Sequence, residues 1–98
     1  MVIDPGQMSW EEVSYVIRSK TRKLVLMHLE SEKTPTILSK ELHISMPNVS
    51  RALAQLRQKG LVDCMTPRAR VGKIFVVSNK GRSVLEKVRK MTGAVSAF

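Results

Sequence analysis

The apolar residues of segment 44–62, ISMPNVSRALAQLRQKGLV, recur at helical spacing as far as Gly60, and from there the chain changes to the period of two of a strand. A helix cannot run through that change, because side chains sharing one face at 3.6 residues per turn scatter to both faces of a strand. The segment therefore predicts an amphipathic helix over 46–59, with Ser45 as its N-cap, Pro47 in the first turn where a missing N–H costs nothing, and Gly60 as the C′ stop. Val49, Ala52, Leu53 and Leu56 form its core face. Pro47, Arg51, Ala54 and Gln58 point the other way, flanked by Asn48, Ser50 and Gln55. The fold has to grow around a helix that is buried on one side and presented on the other.

The remaining elements follow from the same signals. Ser9 and Glu12 have capping-box spacing and predict a helix start, continued by Val13, Val16 and Ile17 to about residue 18. Ser19 offers a second cap, for a helix over 20–31 whose broad apolar face includes Leu24, Val25 and Leu29. Glu30 to Lys33 read as a polar connection, and Thr34-Pro35 as the entry to a short helix over 35–42, with Thr as cap and Pro at the first helical position. After Gly60, residues 61–66 and 73–78 are β-branched and aromatic runs joined by PRARVG, a hairpin with a basic tip. Ser78 or Asn79 then caps a last helix over 80–92 carrying Val84, Leu85, Val88 and Met91 on its apolar face. Residues 1–8 are left as an N-terminal arm and 93–98 as a tail.

A chain of 98 residues is one domain. No basic and apolar leader opens it and no run of 18 apolar residues interrupts it, which argues against secretion and membrane spanning. Its single cysteine, Cys64, has no internal disulfide partner and no zinc-ligand neighbours at short spacing. These features fit a reducing, cytoplasmic setting. Net charge is +9, and its placement says more than its size. Residues 1–50 hold six Lys/Arg and six acids, whereas residues 51–90 hold eleven Lys/Arg against Asp63 and Glu86. A merely solubilising excess has no reason to segregate, so the second half of the chain is expected to meet a polyanion.

In order, the elements are helix, short helix, tight turn, presented helix and basic hairpin, which is a helix-turn-helix followed by a wing. The fold class expected is α+β, mostly α, with a two- to three-stranded β wing and flanking N- and C-terminal helices: 9–31 as the N-terminal helical region, 35–59 as the helix-turn-helix, 61–78 as the wing. The residues TPTILSKELHISMPNVSRALAQLRQKGLV and CMTPRARVGKIFVVSNKG resemble the small archaeal winged-helix transcription regulators, relatives of the MarR-like and ArsR-like groups. The resemblance spans about residues 20–85, and its most specific parts are NVSRAL, QL, KGLV and the FVVSNKG exit from the wing. It implies that the helix over 46–59 is a recognition helix in the major groove and that Arg68, Arg70 and Lys73 reach the backbone or minor groove. Two positions depart from the pattern. Ile37 stands where relatives often place an acidic capping residue, and His43 where they often place Gly.

The residues make chemical sense without the resemblance. Arg pairs bidentately with guanine O6 and N7, Asn or Gln with adenine N6 and N7, and small residues such as Ser50 and Ala54 let a helix approach the groove floor. Base reading is accordingly expected from Pro47, Asn48, Ser50, Arg51 and Gln55, and backbone or wing contacts from Thr34, Thr36, Ser45, Arg57, Arg68, Arg70 and Lys73. The competing reading is a solvated helix face. His28 and His43 read as structural histidines and Cys64 as a packed small side chain, so no metal is expected. With no Ser/His/acid set, carboxylate pair or phosphate-cradling Gly loop, neither an enzyme nor a cofactor is expected. One recognition helix covers few base pairs, so a symmetric homodimer is expected through Trp10, Val13, Ile17, Val84, Leu85, Val88 and Met91; the alternative is that these residues close the monomer's own core. The function expected is sequence-specific binding of double-stranded DNA as a transcription regulator. Rival readings are a protein-interaction module, a non-specific architectural DNA binder and an RNA binder, the last disfavoured by the scarcity of aromatics for stacking. Nothing in the residues specifies a small-molecule effector.

Overall fold

The computed structural model describes residues 5–96, with side-chain surroundings for residues 10–91. Five helices and one hairpin follow in the order α1 (Pro5–Ile17), α2 (Lys20–His28), α3 (Pro35–Leu42), α4 (Met46–Gln58), β1 (Val62–Cys64), β2 (Phe75–Val77) and α5 (Asn79–Ser96). This is the mostly helical winged architecture expected. Residues 1–4 of the arm and 97–98 of the tail lie outside the described residues.

Helix ends show which signals acted. The Thr34 hydroxyl accepts from the Ile37 N–H at 3.3 Å with Pro35 just inside, so α3 is capped without an acidic residue at Ile37. His43 closes α3 in the left-handed conformation at φ 56°, one of the few non-Gly types that tolerate it. Gly60 ends α4 at φ 75°, the Leu61 N–H bonding to the Leu56 carbonyl and the Gly60 N–H to that of Arg57, both at 2.9 Å. That double bond pattern is the Schellman motif, and it aims the chain straight into β1.

Four expectations change. α1 begins at Pro5, which places Ser9 inside the helix instead of at its cap. α2 stops at His28 and not at residue 31, since the Leu29 carbonyl accepts from the Val77 N–H at 2.9 Å and the chain turns to the sheet. α5 continues to Ser96, past residue 92. Ser45 sits at the N-cap of α4 without a side-chain cap bond, and Pro47 explains this by removing the N–H at one of the two positions an N-cap oxygen serves.

β1 and β2 pair antiparallel, Val62 with Val77 and Cys64 with Phe75. Lys33 joins their edge through reciprocal backbone bonds with Phe75 at 2.9 and 2.8 Å, a one-residue third strand. The strands are shorter than the runs 61–66 and 73–78 because the ladder beyond Cys64 loosens: the Met65 N–H still reaches the Ile74 carbonyl, but the Ile74 N–H takes the Thr66 hydroxyl. One core joins all the helices to the sheet, Leu26, Leu38, Leu56, Leu61 and Val84 among its fully enclosed side chains. Cys64 packs half-buried against it.

α1 and α5 pack on one another. Val13, Val84, Leu85 and Val88, expected at a dimer interface, are at most 2% exposed and fill the monomer's core. Trp10, Ile17 and Met91 stay outside it.

Candidate nucleic-acid interface

α4 buries the four core-face residues expected and leaves Met46, Pro47, Asn48, Ser50, Arg51, Ala54, Arg57 and Gln58 exposed. α3 packs against it, and the hairpin loop faces it across an open space. Between α3, α4 and the loop lies an open groove of about 920 Å³. Thr36, Ser50, Arg57, Arg70 and Lys73 line it, so one side of α4 along its length and the wing share a wall. Met46, Leu53, Val71 and Phe75 add apolar surface to the lining. Val71, at 85% exposure, is the most protruding large apolar residue described. Sequence reasoning missed it because a lone valine in a turn carries no periodic signal.

The expected readers divide. Asn48 and Arg51 stand exposed on one stripe of α4, and Ser50 faces the groove. Gln55 is half-buried, and its Oε1 accepts from Arg22 Nη1 at 3.1 Å. Arg22 also donates through Nε to the Tyr15 carbonyl at 2.9 Å and lies over the Tyr15 ring at 3.9 Å. Lys59 approaches the same ring at 5.0 Å. This hub joins α1, α2 and α4 across 33 residues of sequence, and no local pattern announces it. Thr34, expected to touch a backbone, already spends its oxygen on capping α3. Arg68 stands exposed on the wing, and Ser45 at the open start of α4.

Eight of the eleven basic residues of the second half fall into two groups. Lys80 pairs with Glu12 at 3.1 Å, Arg89 with Glu30, and Lys87 lies 5.7 Å from the Trp10 ring; these are neutralised or occupied on the α1/α5 side. Arg51, Arg57, Arg68, Arg70 and Lys73 form no ion pair among the described residues. All five lie on α4 or the wing. The face that carries the groove thus holds five basic side chains outside any ion pair among the described residues, charge that is open to a polyanion without an internal contact first being broken.

The other titratable groups support the scaffold. Glu41 meets both His28 Nδ1 and Lys33 Nζ, and the Lys33 hydrogen bond holds its carboxyl below the ordinary range. Arg89 does the same for Glu30. No group of three or more His, Cys, Asp or Glu among the described residues could hold a metal ion. No helix of the described residues is long and apolar enough to cross a membrane.

Fold and site together define a winged helix-turn-helix, the fold of the solved MarR family regulators it superposes on. Residues 19–63, from the start of α2 into β1, match the family model described as bacterial regulatory protein, arsR family. Among solved structures, a variant of ZitR from Lactococcus lactis superposes with a TM-score of 0.71 at 23% identity, covering 81% of this chain and 56% of that one. A MepR variant of S. aureus gives 0.71 at 18% identity, over 93% and 70%. TubR bound to 24 bp of tubC from Bacillus thuringiensis serovar israelensis pBtoxis gives 0.70 at 15% identity, over 93% and 98%. The chain thus spans little more than half of the ZitR chain and nearly all of the TubR chain. No curated protein matches it in sequence.

Proposed function

We propose that this protein is a sequence-specific double-stranded DNA-binding transcription regulator of the cytoplasm, acting as a homodimer. The observation that carries the reading is the coincidence of three features on one face: the polar stripe of α4, the groove beside it, and five cations of α4 and the wing that are in no ion pair among the described residues. In this reading α4 enters the major groove, Arg51 and Asn48 meet base edges, and Pro47 and Ser50 allow close approach. Arg57, Arg68, Arg70 and Lys73 meet phosphates on either side, with Thr36 and Ser45 as neutral donors. The homodimer supplies a second recognition helix, which one short helix needs to specify a site. A related reading draws on TubR, a plasmid-segregation protein of almost this length that is seen on DNA. It keeps the same DNA-binding face and changes only the purpose of the complex.

Reading and positioning are separable. Arg51→Ala and Asn48→Ala are each expected to cost about 1–3 kcal/mol on the preferred site and to relax base preference there. Arg70→Ala is expected to weaken all duplexes alike. Equal losses for Arg51→Ala on cognate and random duplex, measured by fluorescence anisotropy, would remove Arg51 from the readers.

A further inference from the structure

The Arg22 hub has a consequence for readout, and the inference rests on the DNA-binding role of α4 proposed above. An arginine side chain donates hydrogen bonds and accepts none, so the Gln55 atom facing Nη1 at 3.1 Å is its oxygen and not its nitrogen. The guanidinium is itself fixed. Its Nε is bonded to the Tyr15 carbonyl and its plane rests 3.9 Å from the centre of the Tyr15 ring. Asn48, Arg51 and Gln55 fall at i, i+3 and i+7 on α4, which puts them on one stripe along the helix. The amide is planar with its oxygen and nitrogen on opposite sides, so an oxygen held toward Arg22 on α2 turns the NH₂ group away from it, as the group presented along that stripe.

We infer that Arg22 is a positioning residue that sets the polarity of Gln55, making it a hydrogen-bond donor at the DNA face and not the donor-and-acceptor pair that a free glutamine offers. The base it meets then has to supply acceptors. Guanine presents two, O6 and N7, whereas bidentate adenine recognition needs the glutamine oxygen to receive N6–H. The structure therefore assigns guanine over adenine at the base pair facing Gln55, by about tenfold, within the range a well-formed pair gives. Tyr15 belongs to the device because its carbonyl and ring hold the guanidinium, which ties the readout of α4 to the seating of α1.

Selection of bound sites from random duplex DNA by the full chain, repeated with Gln55→Glu and Arg22→Met, tests this. Gln55→Glu keeps an acceptor for Arg22 and removes the NH₂ donors, so it separates a structural role from a reading one. Base preference is the readout, since a new carboxylate lowers affinity for every duplex. The wild type is expected to select guanine at one position, Gln55→Glu to lose that preference or move it to cytosine, whose N4 donates, and Arg22→Met to admit adenine there. The remaining positions should keep their bases in both variants, which a misfolded protein would not do. A wild-type preference for adenine that Gln55→Glu abolishes would overturn the inference by showing the amide free to use both ends. A structured wild-type preference unchanged by either variant would overturn it alone, whereas no wild-type preference at all would overturn the DNA-reading proposal with it.

Discussion

Gly81 shows how little freedom single residues have where the wing returns to the helices. A Cβ there would stand 2.1 Å from the Leu61 carbonyl oxygen and 2.6 Å from a Val77 methyl, and the first of these neighbours is backbone. The close approach lets Ser78 tie two helix ends together, its hydroxyl donating to the Gly60 carbonyl at 2.6 Å and accepting from the Gly81 N–H at 3.0 Å. Ser78, and not Asn79, is therefore the side-chain cap of α5. Gly81→Ala is expected to destabilise the fold by about 3 kcal/mol or more, as overpacking against unyielding atoms does. Ser83→Ala two residues on, at an exposed site, should cost well under 1 kcal/mol. Urea titrations of both variants check this, and equal stabilities would show that the α5 entry yields more easily than its packing implies.

Among the elements, the ones set by local chemistry were legible in the sequence. The Thr34-Pro35 entry, the His43 turn, the Gly60 stop and the change of period into the hairpin each depend on residues within one turn of each other, and each appears where the sequence places it. What tertiary contacts decide was not legible. α2 ends where Val77 captures the Leu29 carbonyl, Lys33 becomes a strand only because Phe75 is there to pair with it, and the Gln55 oxygen is engaged by an arginine 33 residues away. The apolar face of α5 was readable as a stripe, but a stripe does not say whether its partner is α1 or another subunit. The connections between elements carry the acid-sensitive part of the scaffold. Glu41, held by Lys33, and Glu30, held by Arg89, have carboxyls lowered from their ordinary value, so their contribution is present above the ordinary carboxylate range and is lost as pH falls through the lowered folded values. Both are exposed, so the contribution is small and screened by salt. Thermal melts are expected to show a midpoint that falls below the ordinary carboxylate range, and Glu41→Gln should reduce that dependence at low ionic strength. A pH profile identical in wild type and variant would deny Glu41 this role.

For the whole molecule, the α1/α5 side carries exposed apolar residues of its own, away from the groove. Trp10 and Ile17 lie seven residues apart on one face of α1, and Trp10 meets Lys87, one turn before the exposed Met91 on α5. This ridge is where a second copy would join, since Val13, Val84, Leu85 and Val88 are already spent inside. Sedimentation at micromolar concentration should give a species of twice 11.0 kDa. Trp10→Asp combined with Met91→Asp should return it to the monomer without unfolding it. A wild-type chain that sediments as a monomer throughout would reject the homodimer.

The central claim, that α4 and the wing bind duplex DNA and read its sequence, is tested most directly by anisotropy titration of the protein against a selected duplex and a shuffled one across a range of salt. Five cations at the face predict that log K falls with log salt on both duplexes, by about 0.9 for each phosphate contacted. Base reading predicts that the selected duplex is bound about 1,000-fold more tightly at physiological salt, the lower end for specific binders. Equal affinity for the two duplexes would contradict sequence reading, and affinity independent of salt would contradict the binding face itself.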